Sequence, residues 1–237
     1  MRGLDQNGNL HQAIVINSLI WEHAAYEYMN IMKISLEEFP IQKFNDKSLP
    51  LVIHEIGHII DNEIQYKMFG TINTKITYDL RYEYDEYVKQ MALSLWGEYY
   101  AEAFAYQIIQ AHDDITLDME KELINCINHY SLGTNSNALW ERVYRILYYF
   151  VIRLAFIHHY KKRPQTFDYA TFKQIDVVSD YTPFLARTEL AIINLYSDYP
   201  KWGTSEQLNE LSFIINDFFT FERERQQENN NSFNKIM

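Results

Sequence analysis

Ser48-Leu49-Pro50-Leu51-Val52-Ile53-His54-Glu55-Ile56-Gly57-His58-Ile59-Ile60 is the stretch on which the reading of this chain turns. A serine followed two positions later by a proline marks a helix start: the hydroxyl accepts from a first-turn N–H, and proline lacks the N–H that would go unpaired there. On that helix His54 and His58 lie four residues apart, so both imidazoles project from one face with Glu55 beside them. Two neutral imidazoles supply half of a tetrahedral zinc shell, and a neighbouring carboxylate is placed to take a proton from water held by the same ion. Ile53, Ile56, Ile59 and Ile60 make the rest of the helix apolar, which predicts a buried surround for the polar groups. The competing reading is a histidine pair hydrogen-bonded within the core, and a third ligand decides between the two.

The best candidate for that ligand lies on a second helix. From Tyr82 to about His112 the pattern is helical, with Val88, Met91, Leu95, Ala101, Ala105 and Ile108 recurring at three- and four-residue spacing. Within it, Trp96-Gly97-Glu98-Tyr99-Tyr100-Ala101-Glu102-Ala103-Phe104-Ala105 carries two carboxylates, Glu98 and Glu102, on one helical face. The spacing leaves both open as the third ligand. Ala101 and Ala105 are small enough to let this helix approach the first closely. Asp61, one turn beyond His58, reads either as a group orienting His58 or as a solvated acid near the helix end.

His54-Glu55-Ile56-Gly57-His58 followed by Glu98-x-x-Ala101-Glu102-x-Phe104-Ala105 resembles the HExxH glutamate-zincin metallopeptidases, and within them the ImmA/IrrE-type peptidases. The metzincin pattern does not fit, because its glycine and third-ligand positions are Asp61 and Ile64 here. The resemblance implies that Glu98 completes the zinc site and that Glu102 accepts a hydrogen bond from a ligand imidazole, fixing its tautomer. That family usually has Asn or Asp at the second place, so Glu102 is a departure by one methylene. The resemblance further implies a zinc-dependent peptidase with Glu55 as general base, acting on a protein or peptide substrate, such as a regulatory protein cut at one site. Two alternatives stay beside it: a non-catalytic regulatory or interaction protein on the same scaffold, and a toxin or effector peptidase.

Composition sets the outer bounds. The chain has 237 residues, 47 % of them apolar, enough for a sizeable core in one domain. With 21 Lys and Arg against 32 Asp and Glu, the net charge of −11 disfavours a nucleic-acid partner, which needs clustered basic surface. Cys126 is the single cysteine, and the N-terminal residues lack the apolar core of a signal peptide; together they predict a reducing, cytoplasmic setting. The most apolar run, Val143 to Ile157, is interrupted by Arg145 and Arg153 and reads as a buried helix with no membrane role.

The remaining organisation follows from turn and cap signals. Ala13 to Ile16 reads as a short strand, Asn17 or Ser18 as the start of a helix to about Glu38, and Phe69 to Thr77 as a loop or hairpin. Asp118 to Tyr130, Asn137 to Tyr160, Pro183 to Tyr196 and Ser205 to about Arg225 read as further helices. The fold class expected is therefore α+β, mostly helical: a zincin-like domain over 1–225 with a small N-terminal β element and a helical half from about 111. Residues 226–237, with Asn229 to Asn231 in a row, are expected to be disordered. Candidate donors to a substrate oxyanion are His112, His129, His158, His159, Tyr144 and Tyr148.

Overall fold

The computed structural model describes residues 2–4, 10–12, 48–69, 84–109, 115–128, 136–159, 176–202 and 204–234. Its helices are α1 (Ser48–Phe69), α2 (Tyr84–Ile108), α3 (Ile115–Asn128), α4 (Ser136–His159), α5 (Thr182–Asp198) and α6 (Asn209–Asn234), with 3-10 turns at Asp176–Tyr181 and Ser205–Leu208. Pro50 and Pro183 sit in the first turns of α1 and α5, where a missing N–H breaks no helical bond.

Helix α2 is the centre of the molecule, with α1, α4 and α6 packed around it. The contact with α4 explains the apolar run seen in the sequence: Val143, Ile146, Leu147, Phe150, Val151, Leu154 and Ala155 are all fully buried. Burying each of the larger aliphatic or aromatic side chains contributes about 1.5–3 kcal/mol, so this face is what fixes α4 in place. No helix among the described residues is long and apolar enough to cross a membrane. The ring contact Tyr87–Trp140, the hydrogen bond Ser94–Tyr144 and the ring contact Tyr106–Phe156 advance together along both helices, so α2 and α4 run parallel.

Helix α1 crosses α2 in the opposite sense. Gly57 lies on Ala101 while Asp61, one turn further along α1, meets Trp96 further back on α2. The crossing is tight enough that a Cβ at Gly57 would stand 2.8 Å from the Ala101 Cα and 3.1 Å from its carbonyl oxygen. Glycine is therefore required here for close approach.

On the far side of the core, buried Arg142 of α4 donates to the Cys126 and Ile127 carbonyls at 2.8 and 2.7 Å, serving last-turn acceptors that α3 leaves without helical partners. The same guanidinium donates to Glu222 of α6 at 3.0 Å, so one side chain ties three helices together.

Two expectations need correction. The fold is all-α, not an α+β zincin-like domain. Among the described residues, β structure is confined to one antiparallel ribbon, β1 (Arg2–Leu4) with β2 (Leu10–Gln12), in the register Arg2–Gln12, Gly3–His11 and Leu4–Leu10. Strands of three residues cannot form a layer on which helices pack, and the core is built by helix against helix. The ribbon touches the body through Gln12 Nε2, which donates to the Ile59 carbonyl of α1 at 2.9 Å. The strand expected at Ala13 to Ile16, the helix from Asn17 or Ser18 to Glu38 and most of the Phe69–Thr77 connection lie outside the described residues. Second, α6 continues to Asn234, so 226–234 is helical where composition predicts disorder. Glutamines and glutamates extend a helix already anchored by its buried stretch, at a propensity cost that asparagine raises only by tenths of a kcal/mol per residue.

Candidate metal centre

Positions 54 and 58 on α1 bring two imidazole nitrogens to within 3.0 Å of each other, Nε2 to Nε2. Across the helix crossing, the Glu98 carboxylate of α2 reaches both: Oε2 lies 3.6 Å from His54 Nε2 and Oε1 lies 3.7 Å from His58 Nε2. His54, His58 and Glu98 are the group among the described residues whose donor atoms could hold a metal ion. Zinc bonds of about 2.0–2.2 Å at tetrahedral angles place neighbouring donors roughly 3.3–3.5 Å apart. The three separations bracket that value, and the donor set of two imidazoles and one carboxylate is one that zinc takes.

The crossing produces this geometry. Glu98 lies three residues before Ala101, and His58 follows Gly57 directly, so the tight crossing at Gly57 also brings the candidate ligands together. Glu102, one turn along α2, stands behind His54, with Oε1 3.3 Å from Nδ1. That nitrogen is shut off from solvent, and a carboxylate facing it favours the tautomer with the proton on Nδ1, leaving Nε2 as the free ligand atom. The spacing left Glu98 and Glu102 open; the structure gives them different places, one between the imidazoles and one behind His54.

The electrostatics are those of a site for a cation. Burial alone would pull the His54 pKa down, but Glu102, joined by Glu98 and Glu55, reverses the sign and holds it above the ordinary histidine value. No Lys or Arg forms an ion pair with Glu98 or Glu102 among the described residues. Glu55 is exposed and makes no hydrogen bond or ion pair among them, and its charge is felt at His54.

Asp61 takes neither role expected of it. It is 2 % exposed, so it is no solvated helix-end acid, and its hydrogen bonds go elsewhere than His58. Trp96 Nε1 donates to Oδ1 at 3.1 Å, and the Tyr199 hydroxyl and Gln65 amide also donate to this carboxylate. Burial pushes its pKa up to about 6 against the pull of these donors and of His58. Local sequence carried no signal for this hub, because two of its three donors lie on other elements.

The oxyanion candidates divide by what they already bind. His112 and His129 lie outside the described residues. His158 and His159 flank the Tyr99 hydroxyl at 2.9 and 3.1 Å, and His158 Nε2 also faces Glu189 at 3.3 Å. Burial, with His158 beside it, holds the pKa of His159 down to about 4, so that ring is neutral at physiological pH. Tyr144 shares its hydroxyl with Ser94 at 3.0 Å. Tyr148 makes no hydrogen bond among the described residues. The chain matches no protein-family profile, no curated protein and no solved structure.

Proposed function

We propose that this chain is a zinc-dependent metallopeptidase in which His54, His58 and Glu98 hold the ion and Glu55 is the general base. The observation that supports it is the convergence of three ligand atoms from two helices with a fourth group, Glu102, aimed at the outer nitrogen of His54. A core histidine pair needs neither a carboxylate between its rings nor one behind them.

When bound, zinc supplies a Lewis acid for the substrate carbonyl and lowers the pKa of water at the site. The protein does the rest. Glu55 accepts a proton from the attacking water at a carboxylate oxygen and delivers it to the leaving amine nitrogen, as the new C–O bond forms and the C–N bond breaks. Glu102 keeps a proton on His54 Nδ1 so that Nε2 stays available. The all-α architecture removes the zincin sheet from this reading, while the resemblance to ImmA/IrrE-type peptidases in the two motifs favours a protein substrate cut at a defined site. A regulatory protein or, for an effector, a host protein is the substrate class that follows.

A second reading has one specific observation in its favour. The 3.0 Å approach of the two Nε2 atoms also suits a direct imidazole–imidazole hydrogen bond, as in a non-catalytic scaffold that binds a partner. Elemental analysis after dialysis against a weak chelator separates the two. Close to one zinc per wild-type chain, a large loss in Glu98→Ala and full retention in Glu55→Gln are expected. A wild type without zinc refutes the peptidase reading.

A further inference from the structure

The parallel register of α2 and α4 brings one more residue to the metal centre. Ser94 and Tyr144, fifty positions apart, share a hydrogen bond, and Tyr106 and Phe156, at the same separation, meet edge to face with centroids 5.3 Å apart. Glu98 and Tyr148 are the pair of that separation one helical turn beyond Ser94 and Tyr144, and they lie between the two observed contacts. The shared register therefore places position 148 of α4 across from Glu98 of α2.

Its surroundings agree with that placement. The ring is half-buried and packed between Tyr144 at 6.0 Å and Tyr149 at 5.4 Å between centroids. Its hydroxyl is uncommitted among the described residues, whereas those of Tyr144 and Tyr99 and both rings at 158 and 159 are engaged.

We propose that Tyr148 is the donor that stabilises the substrate oxyanion: its O–H donates a hydrogen bond to the carbonyl oxygen that gains charge as water attacks. The proton stays on Tyr148 throughout, and no electron pair other than those of the C–O and C–N bonds moves. This assignment rests on the metallopeptidase reading. A donor aimed at developing charge in a site of low dielectric strengthens as that charge grows, which is why an unpaired hydroxyl here has catalytic value.

The test uses the full chain loaded with zinc and acetohydroxamate, whose carbonyl oxygen stands in for the substrate's. Calorimetric titration should show acetohydroxamate binding weakened about 10–100-fold in Tyr148→Phe, the loss expected for one hydrogen bond to a charged group. Zinc content should be unchanged, and Tyr144→Phe should bind as wild type does. If Tyr148→Phe does not fold, Tyr148→Met carries the same expectation. A zinc-loaded variant lacking the hydroxyl that binds acetohydroxamate as tightly as wild type overturns the assignment alone. A wild type that takes up no zinc overturns the metal-centre reading, and this one with it.

Discussion

Gly57→Ala adds one methyl at the point where α1 and α2 touch, and the structure supplies the size of the effect. The new Cβ would meet the Ala101 Cα at 2.8 Å, its oxygen at 3.1 Å and its Cβ at 3.3 Å. Carbon atoms rest at about 3.5 Å or more, so the helices must part by roughly 0.7 Å. Overpacking of this kind costs about 1–3 kcal/mol, and alanine's better helix propensity offsets about 1 kcal/mol of it. The net loss of stability is thus about 1 kcal/mol, a modest change. Metal affinity should suffer far more, because ligand distances tolerate only about 0.2 Å and Glu98 rides on the helix that is displaced. Competition titration against a chromogenic chelator, beside a thermal melt, should show zinc affinity down by at least tenfold with most of the fold's stability retained. Ala101→Gly in the same background should restore only part of it, since the Cα and oxygen at position 101 remain. Undiminished zinc affinity in folded Gly57→Ala would refute the link between the crossing and the site.

Two further outcomes follow from the same geometry. Glu102→Ala removes the carboxylate behind His54 but no ligand, so zinc should still bind at one per chain with an affinity lower by about 10–100-fold in the same competition titration; loss of stoichiometric binding at saturating zinc would make Glu102 a ligand. Asp61 has its pKa raised from 3.8 to about 6 in the folded chain. Between those values the folded state binds a proton that the unfolded state does not, so this residue's contribution improves as pH falls from 6 to 4, by about 3 kcal/mol in total. Urea midpoints across that range should show the gain in wild type and not in Asp61→Asn, and equal slopes in the two proteins would show that Asp61 titrates normally.

The sequence is most legible where one local period carries the information. The burial of Val143 to Ala155 follows from apolar residues at three- and four-residue spacing, and His54, Glu55 and His58 stand out because four residues make one helical turn. The small residue at 101 could be read as a close approach, whereas the contact of Gly57 with it is fixed by the crossing of the two helices, which local sequence does not give. Asp61 misleads for a related reason: its class and place predict solvent, and only Trp96 and Tyr199, 35 and 138 positions away, make it a buried acceptor. The α+β expectation rested on the β-branched stretch at residues 13–16 and on the motif's usual fold. Residues 13–16 lie outside the described residues, and among those described the core is built by helix against helix, with β structure confined to one ribbon of three-residue strands.

The hydrogen bond from Tyr199 to Asp61 bears on how the protein is made. Until residue 199 has left the ribosome, the carboxylate one turn past His58 lacks the donor that arrives last, and Trp96 lacks the rings of Tyr199 and Trp202 that pack at a tilt against it, with centroids 4.9 and 4.7 Å away. Helix α1 is complete by residue 69, yet the side chains that hold it against α2 extend to Tyr199 and Trp202. A nascent chain thus carries His54, His58 and Glu98 well before the Tyr199 and Trp202 side chains that clamp the crossing, and the three come into register only after those have been made.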